Sequence, residues 1–181
     1  NGGGSRARVI NYASQDAGAV VLESSPGMKG MGSLLDDNQD KYAISPCAEA
    51  KWIVIGLSED IRVKSVVIAN YEKYSSTVRE FSVLGSPVFP VAEWRLLGTF
   101  TAGYAQGEQK FALAEPAWAR YLQLRFASHY GSEFYCTLSQ VKVEGATVLE
   151  GFHEEFESHS AEVRDLHTVI HEEHEQSLEN S

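Results

Sequence analysis

Short runs in which apolar and polar residues alternate recur along most of the chain. Such runs are typical of β-strands that bury one face. Clusters of Gly, Pro, Asn, Asp and Ser separate them, for example at residues 86–90 and 103–107. The pattern predicts strands at residues 19–22, 52–57, 63–69, 80–84, 96–100, 110–113, 120–126 and 138–143.

Many short strands with few helical stretches predict an all-β fold, an antiparallel β-sandwich or jelly roll. A body of about 140 residues can bury a core of its own without a metal or many disulfides. We therefore expect a flexible Gly-rich linker at residues 1–7 and one sandwich domain at residues 8–148.

The period of the apolar residues changes after Gly145. Steps of three and four residues alternate from there on, as on one face of a coiled-coil helix. The seam consists of Leu149, Phe152, Phe156, His159, Val163, Leu166 and Ile170. Residues 149–181 are thus predicted to form an amphipathic helix, which either joins partner helices or folds back on its own sandwich. We expect the domain to be monomeric or weakly associated, with any oligomer depending on this helix.

The formal net charge of −10 is unevenly distributed. Residues 152–181 hold nine carboxylates against the single Arg164, so this acidic segment carries −8 and the rest of the chain only −2. A nearly neutral body without a basic stripe argues against nucleic acid or anionic lipid as a partner. No apolar run is long enough to predict a membrane span.

Catalytic motifs are missing from the sequence. Five of the six histidines lie in the acidic segment, which leaves His129 as the one histidine of the body. The chain has no G-x-S-x-G, P-loop, H-E-x-x-H or dinucleotide fingerprint. We predict a non-catalytic protein. His167, His171 and His174 have helical spacing, which suits either a weak metal site or a solvated helix face.

Two further patterns concern cysteines and oxygen ligands. Cys47 and Cys136 permit either a disulfide or two buried free thiols. Zinc is not favoured, because neither cysteine has a C-x-x-C or nearby His companion. Asp36, Asn38 and Asp40 have the spacing of ligands for Ca²⁺, Na⁺ or K⁺, or of a solvated turn. An EF-hand is excluded, because its turn glycine and bidentate Glu are missing.

Four segments resemble a known family, in its order along the chain. They are NYASQDAGAVVLE at residues 11–23, DKYAISPC at 40–47, the stretch from WIVIGLSED to FSVLGS at 52–86, and SHYGSEFYC at 128–136 followed by a closing strand. Together they resemble SUN domains, most closely the mid-SUN subfamily of endoplasmic reticulum and nuclear-envelope membrane proteins. The resemblance covers about residues 8–156.

The resemblance implies a galactose-binding-like jelly roll with a disulfide between Cys47 and Cys136, formed in an oxidising lumen. It also implies a cation-binding loop beside the disulfide, at the position of Asp36, Asn38 and Asp40. The chain would be a luminal fragment of a membrane protein in the endoplasmic reticulum or perinuclear space. The same fold would also suit a cell or ciliary surface.

Two departures from conventional SUN domains argue against capture of a conventional KASH peptide. Residues 23–42 are short and polar, where those domains carry a long β-hairpin lid that clamps the peptide by strand addition. Phe134 and Tyr135 precede Cys136, but Thr137 and Leu138 follow it, so a tyrosine of the carboxylate pocket is missing.

Exposed loop aromatics are the remaining candidates for a binding surface. The strongest group is the loop that ends at Cys136, with His129, Tyr130, Glu133, Phe134 and Tyr135; Tyr71, Tyr74 and Trp94 are further candidates. The sequence thus predicts a luminal protein-interaction domain that supports client stability or membrane organisation. The alternative is a carbohydrate-binding module that uses Trp94, Tyr130 and the 36–40 loop.

Overall fold

The computed structural model describes residues 9–180, without the side chains of residues 167–169 and 171. Two compact units divide the chain, the first ending at Ala146 and the second beginning at Thr147. The first unit consists mainly of β-strands. The second is a helix.

Eight strands lie within residues 9–147, which the structure describes. They are β1 (Val20–Ser24), β2 (Ala43–Pro46), β3 (Lys51–Asn70), β4 (Glu80–Ser86), β5 (Arg95–Thr101), β6 (Gly107–Phe126), β7 (Tyr135–Leu138) and β8 (Gln140–Thr147). The larger sheet has the order β1-β3-β6-β4-β5, with β8 also paired to β3, and β2 pairs with β7 in a small second sheet. A 3-10 turn at Met31–Leu35 buries Leu34 and Leu35 against the core.

The two long strands, β3 and β6, pair antiparallel from end to end, except at two bulges in the middle. Lys51 lies opposite Phe126 at one end, and Asn70 lies opposite Gly107 at the other. The register shifts between Gly56 and Ile61, where residues 58–60 are exposed. It shifts again beside Pro116, which has no amide hydrogen to donate to the ladder. The bulged middle lets both halves of each strand contribute to one core.

An aromatic cluster joins the two layers of the resulting sandwich. Phe81 on β4 lies in register with Phe100 on β5 and Phe126 on β6. Phe111, from the other half of β6, presents its ring edge-on to Phe81 with the centroids 5.0 Å apart. Because Phe81 is fully buried, this contact brings both halves of β6 to the same buried cluster.

The observed strands confirm the predicted fold class and alter its details. Residues 52–57 and 63–69 form one strand, as do residues 110–113 and 120–126. The predicted strand at 138–143 is split at the fully buried Ser139, whose N–H donates to the Ala69 carbonyl at 2.8 Å. Within residues 23–42, all of them described, no β-hairpin forms.

The helix α1 spans Val148–Glu179. Thr147 caps its first turn, because its hydroxyl accepts a 3.0 Å hydrogen bond from the N–H of Glu150. The apolar seam is exposed at Leu149, Phe152, Phe156, Val163, Leu166 and Ile170. Coiled-coil pairing stays a prediction. In the described part of the chain, no helix combines the length and the apolar character that crossing a membrane requires.

Candidate functional site

A disulfide between Cys47 and Cys136 fixes the centre of the candidate site. It joins residues 89 positions apart in the sequence, with their Cα atoms 5.0 Å apart. Cys136 lies on β7 opposite Ser45 of β2, and the Cys47 N–H donates to the Phe134 carbonyl at 2.9 Å. The predicted bridge is confirmed, and the alternative of two free thiols is excluded.

His129 lies beside this disulfide, although it is distant from Cys47 in sequence. Its ring nitrogen and the two sulfur atoms all lie within 4.8 Å of one another. An antiparallel bridge between Val78 and His129 sets the backbone position. The expectation that neither cysteine has a histidine companion is therefore wrong. It considered sequence spacing, whereas the fold brings the 128–130 segment alongside the bridge.

Lys51 supplies a positive charge next to Cys47. Its ammonium donates to the carbonyl oxygens of Cys47 and Glu49 at 2.7 and 2.6 Å, and of Pro46 at 3.4 Å. Desolvation lowers the pKa of Lys51, and the carboxylate of Glu49 opposes that shift. The three carbonyl contacts hold the turn after Cys47. Sequence reasoning missed Lys51, because a single lysine in a polar turn carries no distinguishing signal.

The loop before Cys136 presents two aromatic side chains to solvent. Phe134 and Tyr135 are 69% and 48% exposed. Their rings meet edge to face with the centroids 4.7 Å apart. The side chain of Glu133, next to them, is also exposed. These three predicted residues therefore form one accessible patch, which we call the 133–135 patch.

Tyr130 makes a different set of contacts. Its hydroxyl donates to the Ala102 carbonyl at 2.7 Å, and its ring lies 5.4 Å from that of Tyr104. The guanidinium of Arg79 lies 5.7 Å from the Tyr130 ring centroid. The half-buried Tyr130 thus anchors its loop to the 102–104 segment, whereas Tyr104 is 75% exposed.

The other predicted aromatics lie apart from these contacts. Tyr74 is 91% exposed, while Tyr71 and Trp94 are half-buried. The Tyr71 N–H donates to the hydroxyl of Ser139 at 2.9 Å, which ties this residue to the core.

The D-x-N-x-D segment forms two successive turns. Asp36 Oδ1 accepts from the Asn38 N–H at 3.0 Å, and Asn38 Oδ1 accepts from the Asp40 N–H at 2.9 Å. The second oxygen of Asp36 accepts from Lys41 Nζ at 3.1 Å. The backbone hydrogen bond from Asn38, followed by the Lys41 contact, lowers the pKa of Asp36. These turns account for the spacing, and cation binding here stays a prediction.

A small cavity lies behind the disulfide. Its volume is about 30 Å³, and its lining includes Met28, Leu34, Phe126, His129, Cys136 and Leu138. A cavity with room for about one water is too small for an organic ligand.

The fold and its bridged loop define a class of protein, a disulfide-bonded β-sandwich followed by a helix. Solved structures share the sandwich. A CBM32 domain from a family 31 glycoside hydrolase of Clostridium perfringens aligns with TM-score 0.64 and 11% identity, over 76% of this chain and 95% of that one. The C-terminal domain of a Bacteroides fragilis chitobiase aligns with TM-score 0.62 and 13% identity, over 78% and 99%. These likenesses show the fold alone.

Sequence comparison identifies the family. The model of the Sad1/UNC-like C-terminal family matches residues 25–147, and the chain belongs to this family of SUN domains. SUN domain-containing protein 4 of Arabidopsis thaliana is 48% identical over 77% of this chain and 24% of its own length. The human SUN domain-containing ossification factor is 38% identical over 80% of this chain and 12% of its own length. The chain thus spans about a quarter or less of these two relatives.

Proposed function

We propose that this SUN domain is a non-catalytic, luminal protein-interaction domain of a membrane protein of the endoplasmic reticulum or nuclear envelope. The observation that carries the proposal is the 133–135 patch. Large aromatic side chains that remain exposed on a fixed loop are the usual anchors of protein interfaces. Membership of the SUN family supports the same role.

The loop is held rigidly enough to act as a preformed docking surface. The disulfide fixes its end, and the Phe134 carbonyl accepts from Cys47. The Ser76 N–H donates to the Tyr135 carbonyl at 3.0 Å, and the Ser76 hydroxyl accepts from the Glu133 N–H at 3.2 Å. Because the free loop is already ordered, little conformational entropy is lost on binding.

The partner that fits best is a protein segment with an apolar side chain for the Phe134 and Tyr135 rings and a positive charge for Glu133. A conventional KASH peptide is not the proposed ligand, because residues 23–42 supply no hairpin lid. His129 and Tyr130 contribute by holding the loop. An oxidising lumen suits the disulfide, and support of client stability or membrane organisation would follow from partner binding there.

Affinity capture under non-reducing conditions would test the proposal. The bait is the tagged chain expressed in the secretory pathway, compared with its Phe134→Ala/Tyr135→Ala variant. Tyr74→Ala is the matched control, because it removes a still more exposed tyrosine outside the patch. Loss of a defined set of proteins from the patch variant alone supports the proposal. Equal recovery by all three baits contradicts it.

The second candidate function is carbohydrate binding. The exposed Tyr104, whose ring meets that of Tyr130 edge to face, offers a ring face to a sugar, and Trp94 is half-buried nearby in sequence. A glycan array with Tyr104→Ala separates the two functions. A lectin role is favoured if the chain binds a glycan, free sugar elutes it and Tyr104→Ala abolishes the binding. If no glycan on the array is bound, the protein-interaction function is favoured.

A further inference from the structure

We propose that Cys47, Cys136 and His129 form a binding site for Zn²⁺ or a similar thiophilic cation once the disulfide is reduced. Two thiolates and one imidazole are a common zinc ligand set. The three ligands are distinct from the residues of the 133–135 patch, although the disulfide also fixes the end of that loop.

The distances suit a metal ion. Zinc binds thiolate sulfur at about 2.3 Å and imidazole nitrogen at about 2.0 Å, which places tetrahedral ligand atoms about 3.5–3.8 Å apart. In the bridged protein the three ligand atoms lie within 4.8 Å of one another. Reduction lets the sulfurs separate, and side-chain rotation can supply the change because the Cα atoms lie only 5.0 Å apart.

The backbone around all three residues is held by bonds that do not involve sulfur. Tyr130 N–H donates to the Thr77 carbonyl at 2.9 Å, next to the bridge between Val78 and His129. Cys136 lies between Ser45 of β2 and Ser76. Cys47 N–H donates to the Phe134 carbonyl. Reduction therefore leaves the ligand positions in place, and little ordering is required when a metal binds.

The surroundings leave room for an ion. Cys136 and His129 both line the small cavity, together with Met28. The ammonium of Lys51 donates to the Cys47 carbonyl at 2.7 Å and so helps to hold the turn that carries this ligand. Cys47 and His129 are half-buried, so an ion can reach the site.

The chemistry is a two-electron reduction followed by metal binding. A dithiol reductant attacks one sulfur of the bridge, forms a mixed disulfide and then leaves as its own disulfide, which gives Cys47 and Cys136 as two thiols. Zinc binding then releases the two thiol protons. In the oxidised protein the sulfurs are bonded to each other and do not serve as thiolate ligands, so the metal site and the disulfide exclude each other.

Metal titration of the reduced protein would test the site. The parent is the 181-residue chain with His153, His159, His167, His171 and His174 replaced by glutamine, so that the acidic segment does not bind metal. After anaerobic reduction and removal of the reductant, Co²⁺ should give one equivalent with a sulfur-to-cobalt charge-transfer band, which Zn²⁺ displaces. Zinc should also raise the melting temperature of the reduced protein. The oxidised protein should show neither effect.

His129→Ala decides whether the imidazole is a ligand. We expect its zinc affinity to fall at least about tenfold, the loss that even outer-shell partners cause. Ser132→Ala, on the same loop, is the matched control and should bind as the parent does. Equal affinity of His129→Ala and the parent would overturn the proposal, as would parent binding no tighter than that of Cys47→Ser/Cys136→Ser.

Circular dichroism covers the case in which the reduced chain unfolds. Zinc must then restore the β-sheet spectrum of the parent but not that of His129→Ala. If zinc binds to the parent without restoring the folded spectrum, the metal is bound by the thiols of an unfolded chain. The proposed site would then be rejected.

Discussion

The side-chain amide of Asn70 donates two hydrogen bonds to Thr137, one to its carbonyl oxygen and one to its hydroxyl, both at 3.1 Å. Both residues are buried. Asn70 ends β3, and Thr137 follows Cys136 on β7, so this pair joins the larger sheet to the strand that carries the disulfide.

Replacement of Asn70 by Asp should destabilise the protein. The side chain keeps its size and its acceptor for the Glu72 N–H, but it loses both donors to Thr137 and places a negative charge in the core. We expect a loss of about 1–3 kcal/mol or more in the free energy of unfolding. Urea denaturation would measure it. Asn38→Asp, in an exposed turn where only the side-chain oxygen is used, should change stability by less than about 0.5 kcal/mol.

Removal of the disulfide should have a larger effect. Cys47→Ser/Cys136→Ser opens a loop of 89 positions, and the chain-entropy model gives a cost of about 4.6 kcal/mol for such a loop. Urea curves with and without reductant would show it. Reductant should lower the unfolding midpoint of the parent and leave that of the double variant unchanged. A parent as stable in reductant as without it would refute this expectation.

Gly145 on β8 should tolerate no side chain. A Cβ atom there would overlap the carbonyl oxygen of Arg62 and lie 3.0 Å from its carbonyl carbon. We expect Gly145→Ala to cost about 1–3 kcal/mol, since the backbones of β3 and β8 must move apart. Gly32→Ala is the control, because a Cβ at Gly32 has no neighbour within 4 Å. Equal urea midpoints for the two variants would contradict the prediction.

The ion pair between Lys142 and Glu108 should make stability depend on pH in the alkaline range. The hydrogen bond to Glu108 is the main cause that raises the pKa of Lys142 above its ordinary value of 10.5. The folded protein therefore holds this proton more tightly than the unfolded chain does. The stabilisation is fully present below the unfolded pKa and is lost as pH rises through the folded one.

Thermal melts of the parent and Lys142→Met from pH 8 to 12 would check this sign. The difference in melting temperature should stay constant below about pH 10 and shrink above it. Lys73→Met, which removes an exposed lysine, controls for net charge. A difference that grows with pH would contradict the assignment.

The exposed seam of α1 should support weak self-association that is stronger at high salt. The acidic segment repels its own copies, and salt screens that repulsion. Phe152→Glu/Phe156→Glu should be monomeric in sedimentation velocity at all concentrations. Ser158→Glu/Ala161→Glu adds the same charge on the opposite helix face and should behave as the parent does. A stable oligomer of the seam variant would place the interface elsewhere.

Local patterns predicted most of the strands, because alternation of apolar residues reports directly on which face is buried. It was harder to predict which neighbouring apolar runs belong to one long strand. Residues 58–60 are polar and exposed, as in a turn, yet β3 runs through them as a bulge, because Gly56 and Ile61 on either side still pair with Tyr121 and Ala119 of β6. The strand β2 was missed, since Ala43 and Ser45 are small and carry a weak apolar signal.

The candidate site was predictable where the family resemblance fixed positions, as for Cys47 and Cys136. Contacts made by the fold alone were not predictable. His129 reaches the disulfide through backbone pairing with Val78, and Lys51 reaches the Cys47 carbonyl through the shape of one turn. Neither contact has a periodic signature in the sequence.

The pairing of β3 with β6 also bears on how the chain is made. β3 ends at Asn70, and its partner is complete only at Phe126. At ordinary translation rates of about 5–20 residues per second, roughly 3–11 seconds pass between the synthesis of the end of β3 and the completion of β6. During that interval β3 can pair with β1 at residues 53–56, but the edge that β6 will cover stays open to other chains. Chaperone occupancy on the ribosome should therefore peak between the synthesis of these two strands.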